Sequence, residues 1–133
     1  MYLFIYVCVC SWTSRTNLAI SVRHQRAGGL AENLKFLETL FHDYSHAHAH
    51  GDSHRAGSTI VYVPTVRGVE NITTHLRTVL PPTVRVESYH GKQGIEDRRR
   101  AHLAFLTGEA PVIVATIAFG MGIDKPDIRR IGE

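Results

Sequence analysis

Two short and almost entirely apolar segments constrain the fold of this chain more than any other feature. They are residues 59–63 (TIVYV) and 112–116 (VIVAT), and a proline bounds each of them at one end. Strands that are apolar at every position are typical of parallel sheets, because helices cover both faces of such a sheet. The two segments therefore predict two strands of a parallel sheet.

Helical spacing predicts three helices around these strands. The first ends near Tyr44, the second begins after Thr65 as its N-cap, and the third runs from about Ile95 to Thr107 with Gly108 as its C-cap. The apolar positions that define the first two are Leu30, Leu34, Leu37 and Phe41, then Val69, Ile72, Leu76 and Val79.

Alternating polar and apolar residues predict further strands from Leu18 and over residues 84–89, and a last short one from Ile128. The chain thus alternates strand and helix along most of its length. This order predicts the α/β class, as a three-layer parallel sheet with helices on both faces.

Composition limits the chain to one domain, because 133 residues with 44% apolar content supply one core. We expect residues 1–14 to be an apolar N-terminal extension and residues 15–133 to be the domain, with an insertion at residues 45–58. The apolar run at the N-terminus is too short to span a bilayer, so no membrane is expected. Cys8 and Cys10 make no disulfide framework, which favours a reducing compartment. The net charge of +3 is compatible with a polyanionic partner but does not require one.

The insertion at residues 45–58 is rich in histidine, with His46, His48, His50 and His54 close together. These side chains could bind Zn²⁺ or Ni²⁺. A loop without surrounding side chains to orient its ligands makes a weak and unselective site. We therefore predict an inserted surface loop and no metal site, and keep a small metal-binding protein as an alternative.

The segment after the second apolar strand is the best candidate for a ligand site. In open parallel sheets, ligands bind beyond the carboxyl ends of the strands. Residues 116–127 (TIAFGMGIDKPD) follow such an end, and Gly120 and Gly122 would allow the backbone to pass close to a ligand and to adopt positive φ. Asp124 could accept hydrogen bonds from a ribose, and Thr116 could hold a phosphate. A turn in which the glycines serve only the backbone is the alternative.

The string VIVATIAFGMGIDKPDIR, residues 112–129, resembles motif V of the RecQ family of superfamily 2 DNA helicases. The resemblance extends upstream through residues that match other family positions. These are Arg98, the Phe105-Leu106 pair, Gly108-Glu109, Tyr89-His90, Ile60 to Tyr62, Thr65, Glu70, and Arg15, Asn17 and Leu18. The chain is therefore identified as resembling the C-terminal RecA-like lobe of a RecQ helicase, truncated before motif VI.

The resemblance implies a function in ATP-dependent 3′–5′ DNA unwinding, in recombination and repair and in the nucleus. It implies that Gly120, Gly122 and Asp124 contact the nucleotide. It also implies that Thr65, Arg67, His90 and Thr116 contact the backbone of single-stranded or forked DNA. The other implied partner is the N-terminal RecA-like lobe. A non-catalytic module that binds single-stranded nucleic acid, or serves interaction, is the alternative from another class.

Several features depart from the family pattern. Gly91-Lys92-Gln93 replaces an expected Ala-Gly-Leu, and Val66 stands where a basic residue is usual. The sequence holds no G-x-x-x-x-G-K-[ST] and no Asp-Glu-x-His, and motif VI would lie beyond Glu133. The resemblance implies that the complete enzyme uses ATP and Mg²⁺. This chain alone is expected to bind neither tightly and to catalyse nothing, because the phosphate loop and arginine finger are missing.

Overall fold

The computed structural model describes residues 57–120, 123 and 125–132, and the strand backbones Leu3–Val9 and Leu18–His24. Its elements in chain order are β1 (Leu3–Val9), β2 (Leu18–His24), β3 (Ser58–Tyr62), α1 (Val66–Val79), β4 (Val86–Tyr89), α2 (Ile95–Leu106), β5 (Val112–Ala115), a 3₁₀ turn (Ile117–Phe119) and β6 (Ile128–Gly132). The helix expected before Tyr44 and residues 45–56 of the insertion lie outside the described residues. Ser58, assigned to the insertion from the sequence, is instead the first residue of β3 and is buried.

The strands form one sheet in the order β2-β1-β6-β3-β5-β4. The four strands from β6 to β4 are parallel, which confirms the predicted α/β class. The strand predicted from Leu18 is not part of that parallel set, because β2 pairs antiparallel with β1. In turn β1 pairs antiparallel with β6 through Tyr6 to Cys8. Consecutive antiparallel strands need only a short connection, whereas parallel pairing of β1 with β2 would need a longer crossover.

Both faces of the parallel sheet are covered, because every residue of β5 and every residue of β3 except Tyr62 is buried. On one face, residues of α1 pack against alternate strand residues; this cluster is Val61, Val63, Val69, Ile72, Leu76, Leu80, Val84, Val86, Val112 and Val114. On the other face, α2 contributes to a second cluster of Ile60, Phe105, Ile113, Ala115 and Phe119. The helices therefore lie on opposite faces, as predicted from the sequence.

The start of α1 and the end of α2 lie where the sequence predicts. Thr65 is the N-cap of α1, since its hydroxyl accepts a hydrogen bond from the Gly68 N–H at 3.1 Å. Gly108 follows α2 with φ of +79°, the left-handed conformation that favours glycine. Val79 differs from expectation, because it is 40% exposed in the last turn of α1 instead of buried. Within the described ranges, no helix has the length and apolarity that crossing a membrane requires.

The chain passes from β5 to β6 without an α-helix in the described part of the connection. We call residues 116–127 the glycine connection. It starts at the carboxyl end of β5 and finishes at the amino end of β6, on the far side of β3. Phe119 and Ile123 belong to or pack against the cluster beneath α2. The glycine connection therefore shares the α2 face of the sheet with that helix.

Gly68 in the first turn of α1 should not tolerate a methyl group. A Cβ at this position would lie 2.6 Å from Val63 Cγ1 and 2.9 Å from the Thr65 hydroxyl that caps the helix. An alanine in a helix usually stabilises relative to glycine, by roughly 1 kcal/mol. Here we expect the sign to reverse, with Gly68→Ala losing about 1–3 kcal/mol because Val63 or the cap must move. Urea unfolding would measure the change.

Gly120→Ala is the matched control for that substitution. Gly120 has φ of −92°, and an added Cβ would meet only ordinary contacts, 3.5 Å from the Ile117 carbonyl and 3.6 Å from the Tyr62 hydroxyl. Its stability should therefore stay within about 0.5 kcal/mol of the parent. Equal losses in the two variants would show that crowding at Gly68 is not the cause.

Candidate functional site

Three loops lie together at the carboxyl edge of the parallel sheet. Tyr62, Ala115 and Tyr89 are level in the register of β3, β5 and β4, so the residues after them leave the sheet at one height. The Val63 N–H donates to the Ala115 carbonyl at 2.8 Å, and the Thr116 N–H donates to the Tyr89 carbonyl at 3.1 Å. This edge is where the sequence analysis expects a ligand.

Thr65 and Arg67 lie on the first of these loops, at the start of α1. Thr65 is exposed, and its hydroxyl is already the cap acceptor for Gly68, with one further lone pair and a proton to offer. Arg67 is exposed and forms no ion pair with any other residue that the structure describes. The first turn of α1 carries no acidic residue, so its N-terminus keeps its positive character. This corner of the edge suits an anion.

His90 lies on the second loop, after β4, but its side chain is only 7% exposed. Its Nε2 is 3.9 Å from the Glu70 carboxylate, too long for a hydrogen bond. Its Nδ1 is buried without a hydrogen-bond partner. The structure therefore places His90 at the predicted edge with its ring turned inward, against α1, instead of presenting it to solvent.

The Gln93 side chain closes the turn that follows β4. Its carbonyl oxygen accepts from the His90 N–H at 3.0 Å, and its amide nitrogen donates to the Ser88 carbonyl and hydroxyl at 3.1 and 3.0 Å. The Gln93 N–H also donates to the His90 carbonyl at 3.1 Å. A leucine, usual here in the resembled family, could make none of the side-chain bonds. The departure from the family pattern thus builds a turn that holds the His90 backbone.

Thr116 and Gly120 lie on the third loop, at the start of the glycine connection. The Thr116 carbonyl accepts from the Phe119 N–H at 3.0 Å, which forms the 3₁₀ turn. Gly120 is exposed beside the Tyr62 hydroxyl at the end of β3. Gly120 does not use the positive φ that glycine permits, because it closes the 3₁₀ turn in a right-handed conformation. Gly122 and Asp124 lie outside the described residues.

Phe119 fixes the start of the glycine connection, a role that the sequence analysis missed. The centroid of its buried ring lies 4.8 Å from that of Tyr89. The rings of His102 and Phe105 lie edge-on to it, each with its centroid at 5.6 Å. Aromatic pairs in such tilted arrangements contribute beyond the area they bury. The signal in the sequence was the lone aromatic residue among the small residues of this loop.

Lys125 and Asp127 fix the end of the glycine connection, and the sequence analysis missed them too. Lys125 Nζ lies 2.6 Å from Asp127 Oδ1, and Ser58 donates to Asp127 Oδ2 at 3.1 Å. Burial raises the pKa of Asp127, but the hydrogen bonds from Lys125 and Ser58 and the lysine charge lower it further, so its pKa lies below the ordinary value. The carboxylate is therefore charged at neutral pH and joins the connection to β3.

Charged side chains cover the outer edge of β4, the last strand of the sheet. The Arg77 guanidinium donates two hydrogen bonds to the Val86 carbonyl, at 2.9 and 2.7 Å. Arg85 pairs with Glu87 at 2.7 Å and also contacts Glu109. Unprotected strand edges can pair with foreign strands, and charged side chains oppose such pairing. This cluster therefore explains several basic residues without a nucleic-acid role.

The arginine run on α2, Arg98 to Arg100, is ion-paired only in part. Arg100 pairs with Asp97 at 2.9 Å. Arg98 differs, because its Nε is buried without a hydrogen-bond partner. Arg99 is exposed beside a groove of about 580 Å³ between α2 and the start of β4. Among the described residues, no three His, Cys, Asp or Glu side chains are grouped to hold a metal ion.

Comparison with solved structures supports the fold. The chain is similar to the Mycobacterium smegmatis helicase Lhr bound to single-stranded DNA and AMP-PNP, with a TM-score of 0.56, 20% identity, and coverage of 80% of this chain and 13% of that one. It is also similar to domain 2 of the DEAD-box helicase Mss116p bound to an RNA duplex, with a TM-score of 0.54, 21% identity, and coverage of 68% and 34%. At these identities the likeness shows the RecA-like fold alone.

Comparison with sequences is more specific. ATP-dependent DNA helicase Q1 of Rattus norvegicus is 34% identical over 116 residues, which are 87% of this chain and 17% of the relative. ATP-dependent helicase wrn-1 of Caenorhabditis elegans is 41% identical over 78 residues, 59% of this chain and 7% of the relative. ATP-dependent DNA helicase Q4 of Homo sapiens is 38% identical over 85 residues, with coverage of 56% of this chain and 7% of the relative. The chain thus spans between 7% and 17% of the length of these relatives.

A family model gives the broader assignment. The model described as "Helicase conserved C-terminal domain" matches residues 32–132, which include every described element from β3 to β6. The relatives place the match among helicases of the RecQ type. This chain therefore belongs to the helicase conserved C-terminal domain family, as a RecQ-like lobe of superfamily 2.

Proposed function

We propose that this chain is part of a RecQ-like ATP-dependent 3′–5′ DNA helicase and supplies one wall of its nucleotide and DNA sites. The observation that carries the proposal is the convergence of the three loops after β3, β4 and β5 at one sheet edge. Parallel sheets bind ligands at this edge. The Lhr structure, bound to single-stranded DNA and AMP-PNP, supports both ligands by analogy with a similar fold.

The DNA contacts are proposed for the loops after β3 and β4 and for Thr116. Arg67 is the strongest of them, because it is exposed, cationic and part of a first helical turn that carries no acidic residue. Thr65 and Thr116 offer hydroxyl groups to phosphate or sugar oxygens. The buried His90 would act through its turn, by fixing the loop backbone, or would need to rotate outward to reach the DNA. Contacts with the sugar-phosphate backbone of DNA suit a motor that moves along DNA of any sequence.

The nucleotide contacts are proposed for Gly120, Gly122 and Asp124. Gly120 fits this role, because it is exposed at the carboxyl edge and leaves space beside the Tyr62 hydroxyl. Gly122 and Asp124 carry the role by their place in the motif alone. The described residues provide no acidic cluster for Mg²⁺, so we propose that the N-terminal lobe binds the ion with the phosphates. ATP would then lie between the two lobes. The complete helicase would act in the nucleus, in DNA recombination and repair.

Binding of single-stranded DNA by Arg67→Ala tests the proposal. We expect the parent chain to bind a fluorescent oligonucleotide weakly, and the variant to bind about threefold to tenfold more weakly because one phosphate contact is lost. The slope of log affinity against log salt should also fall in magnitude by about 0.7. Fluorescence anisotropy at two or more salt concentrations measures both quantities.

Arg99→Ala is the matched control, because it removes the same charge from an exposed position of α2. Arg99 lies in the second turn of α2 and lines a groove with Arg85 and Glu109, instead of lying on one of the three loops. The control should bind DNA almost as the parent does. Equal losses in both variants would show that only net charge matters, and no binding by the parent would contradict the proposed DNA site in this chain.

A further inference from the structure

The two ends of the glycine connection contact the same side chain. Phe105 of α2 is fully buried, and its ring lies edge-on to Phe119 at 5.6 Å between centroids. Lys125 Nζ lies 5.7 Å from the centroid of the same ring. Phe119 follows the carboxyl edge of the sheet, whereas Lys125 precedes β6 at the amino edge. One aromatic ring therefore connects the ligand edge to the point where the connection re-enters the sheet.

Lys125 is an unusual residue for this position. Its side chain is only 7% exposed, and its one carboxylate partner among the described residues is Asp127. Burying an ammonium group carries a desolvation cost, so exchanging such an ion pair for apolar residues is often neutral for stability. The pair is thus poorly explained by a gain in stability. The pair instead fixes the position of the Lys125 side chain, because a charge-assisted hydrogen bond holds one geometry where apolar packing tolerates several.

Backbone hydrogen bonds hold both ends of the glycine connection. At the amino edge, the Ser58 N–H donates to the Asp127 carbonyl at 2.8 Å, which joins the end of the connection to β3. At the carboxyl edge, the Phe119 and Gly120 amides donate to Thr116 and Ile117 at 3.0 and 3.2 Å. The 3₁₀ turn that holds Gly120 thus packs against the Phe105 ring through Phe119, and Lys125 contacts the same ring.

We propose that Lys125 is a positioning residue for the ligand edge. It fixes the return of the glycine connection through Asp127 and limits the movement of Phe105, and thereby keeps Phe119, Thr116 and Gly120 in place. This inference rests on the proposed function for its consequence in DNA binding. The anchoring itself does not depend on that function, because the contacts exist without a ligand.

Lys125→Met tests the proposal, since methionine keeps the length and the contact with the ring but loses the charge. We expect the midpoint of thermal unfolding to stay within a few degrees of the parent. Amide hydrogen exchange at Phe119 and Gly120 should nevertheless become about tenfold faster, because the 3₁₀ turn opens locally. Affinity for the same oligonucleotide should fall by more than in Arg99→Ala, which removes an equal charge from an exposed position outside the three loops.

The outcomes separate the two proposals. Unchanged exchange at Phe119 and Gly120 in Lys125→Met overturns the anchoring role, whatever happens to DNA binding. Faster exchange with a parent chain that does not bind DNA supports the anchoring and contradicts the proposed function. Should Lys125→Met fail to fold, Asp127→Asn replaces it, because that variant keeps the shape of the pair and removes its charge. It should also show faster exchange, and unchanged exchange there overturns the proposal as well.

Discussion

Phe105→Ala is expected to lose about 3–5 kcal/mol of unfolding free energy, because Phe105 is fully buried and truncation leaves a cavity between α2 and the sheet. The ring belongs to the cluster with Ile60, Ile113 and Phe119, so its removal loosens the helix and the glycine connection together. A loss of this size is a large part of the stability of a small domain. Urea unfolding followed by far-UV circular dichroism measures it.

Two control variants separate the cavity from other causes. Phe105→Leu fills part of the space and should lose clearly less stability than the alanine variant. Leu103→Ala truncates an exposed residue on the same helix and should change stability by no more than about 0.5 kcal/mol. A Phe105→Ala variant as stable as Leu103→Ala would show that α2 does not pack on the sheet as described.

The layered sheet could be predicted from the sequence because its signals are local. The apolar runs of β3 and β5 require cover on both faces, and the cap at Thr65 and the glycine at Gly108 mark helix ends through a few neighbouring residues. The antiparallel pairing of β2 with β1 could not be predicted in this way. Strand direction depends on which distant segment lies alongside, and alternation of side chains is the same for both directions.

The candidate site was predictable in position but not in its internal contacts. Motif resemblance and the rule for parallel sheets both indicate the carboxyl edge, and the structure brings Thr65, Arg67 and Thr116 there. The inward orientation of His90 depends on packing against α1, which no local pattern reports. The bonds of Gln93 likewise belong to a turn whose sequence differs from the family pattern.

The role of Lys125 was hidden for a related reason. In the sequence it is a lysine next to a proline in a loop, and lysines in loops are mostly exposed. Its burial depends on tertiary packing, in which the ammonium meets the Phe105 ring of α2 and the Asp127 carboxylate. Gly120 shows the converse, since a glycine within a motif permits positive φ, whereas the structure gives it a right-handed conformation that other residues also adopt.

Removing either partner of the Lys125–Asp127 pair should have unequal effects. Asp127→Ala leaves a nearly buried ammonium without a carboxylate, and we expect it to lose about 2–4 kcal/mol of unfolding free energy. Lys125→Met leaves a carboxylate that is 48% exposed, so water and Ser58 continue to solvate it. That variant should lose less than about 1 kcal/mol, because the charge left behind is partly solvated. Equal losses would contradict the difference in burial.

Acid titration gives an independent check on the same carboxylate. The folded pKa of Asp127 lies below its ordinary value of 3.8, so the folded state binds a proton at this position less readily than the unfolded state does. Its contribution to stability is therefore complete above the ordinary value and is lost as the pH falls through the folded pKa. The stability difference between the parent and Asp127→Asn should thus be constant near neutral pH and should shrink between about pH 5 and about pH 2. A difference that grows over this range would mean that the folded pKa is raised, and that Lys125 does not pair with a charged carboxylate.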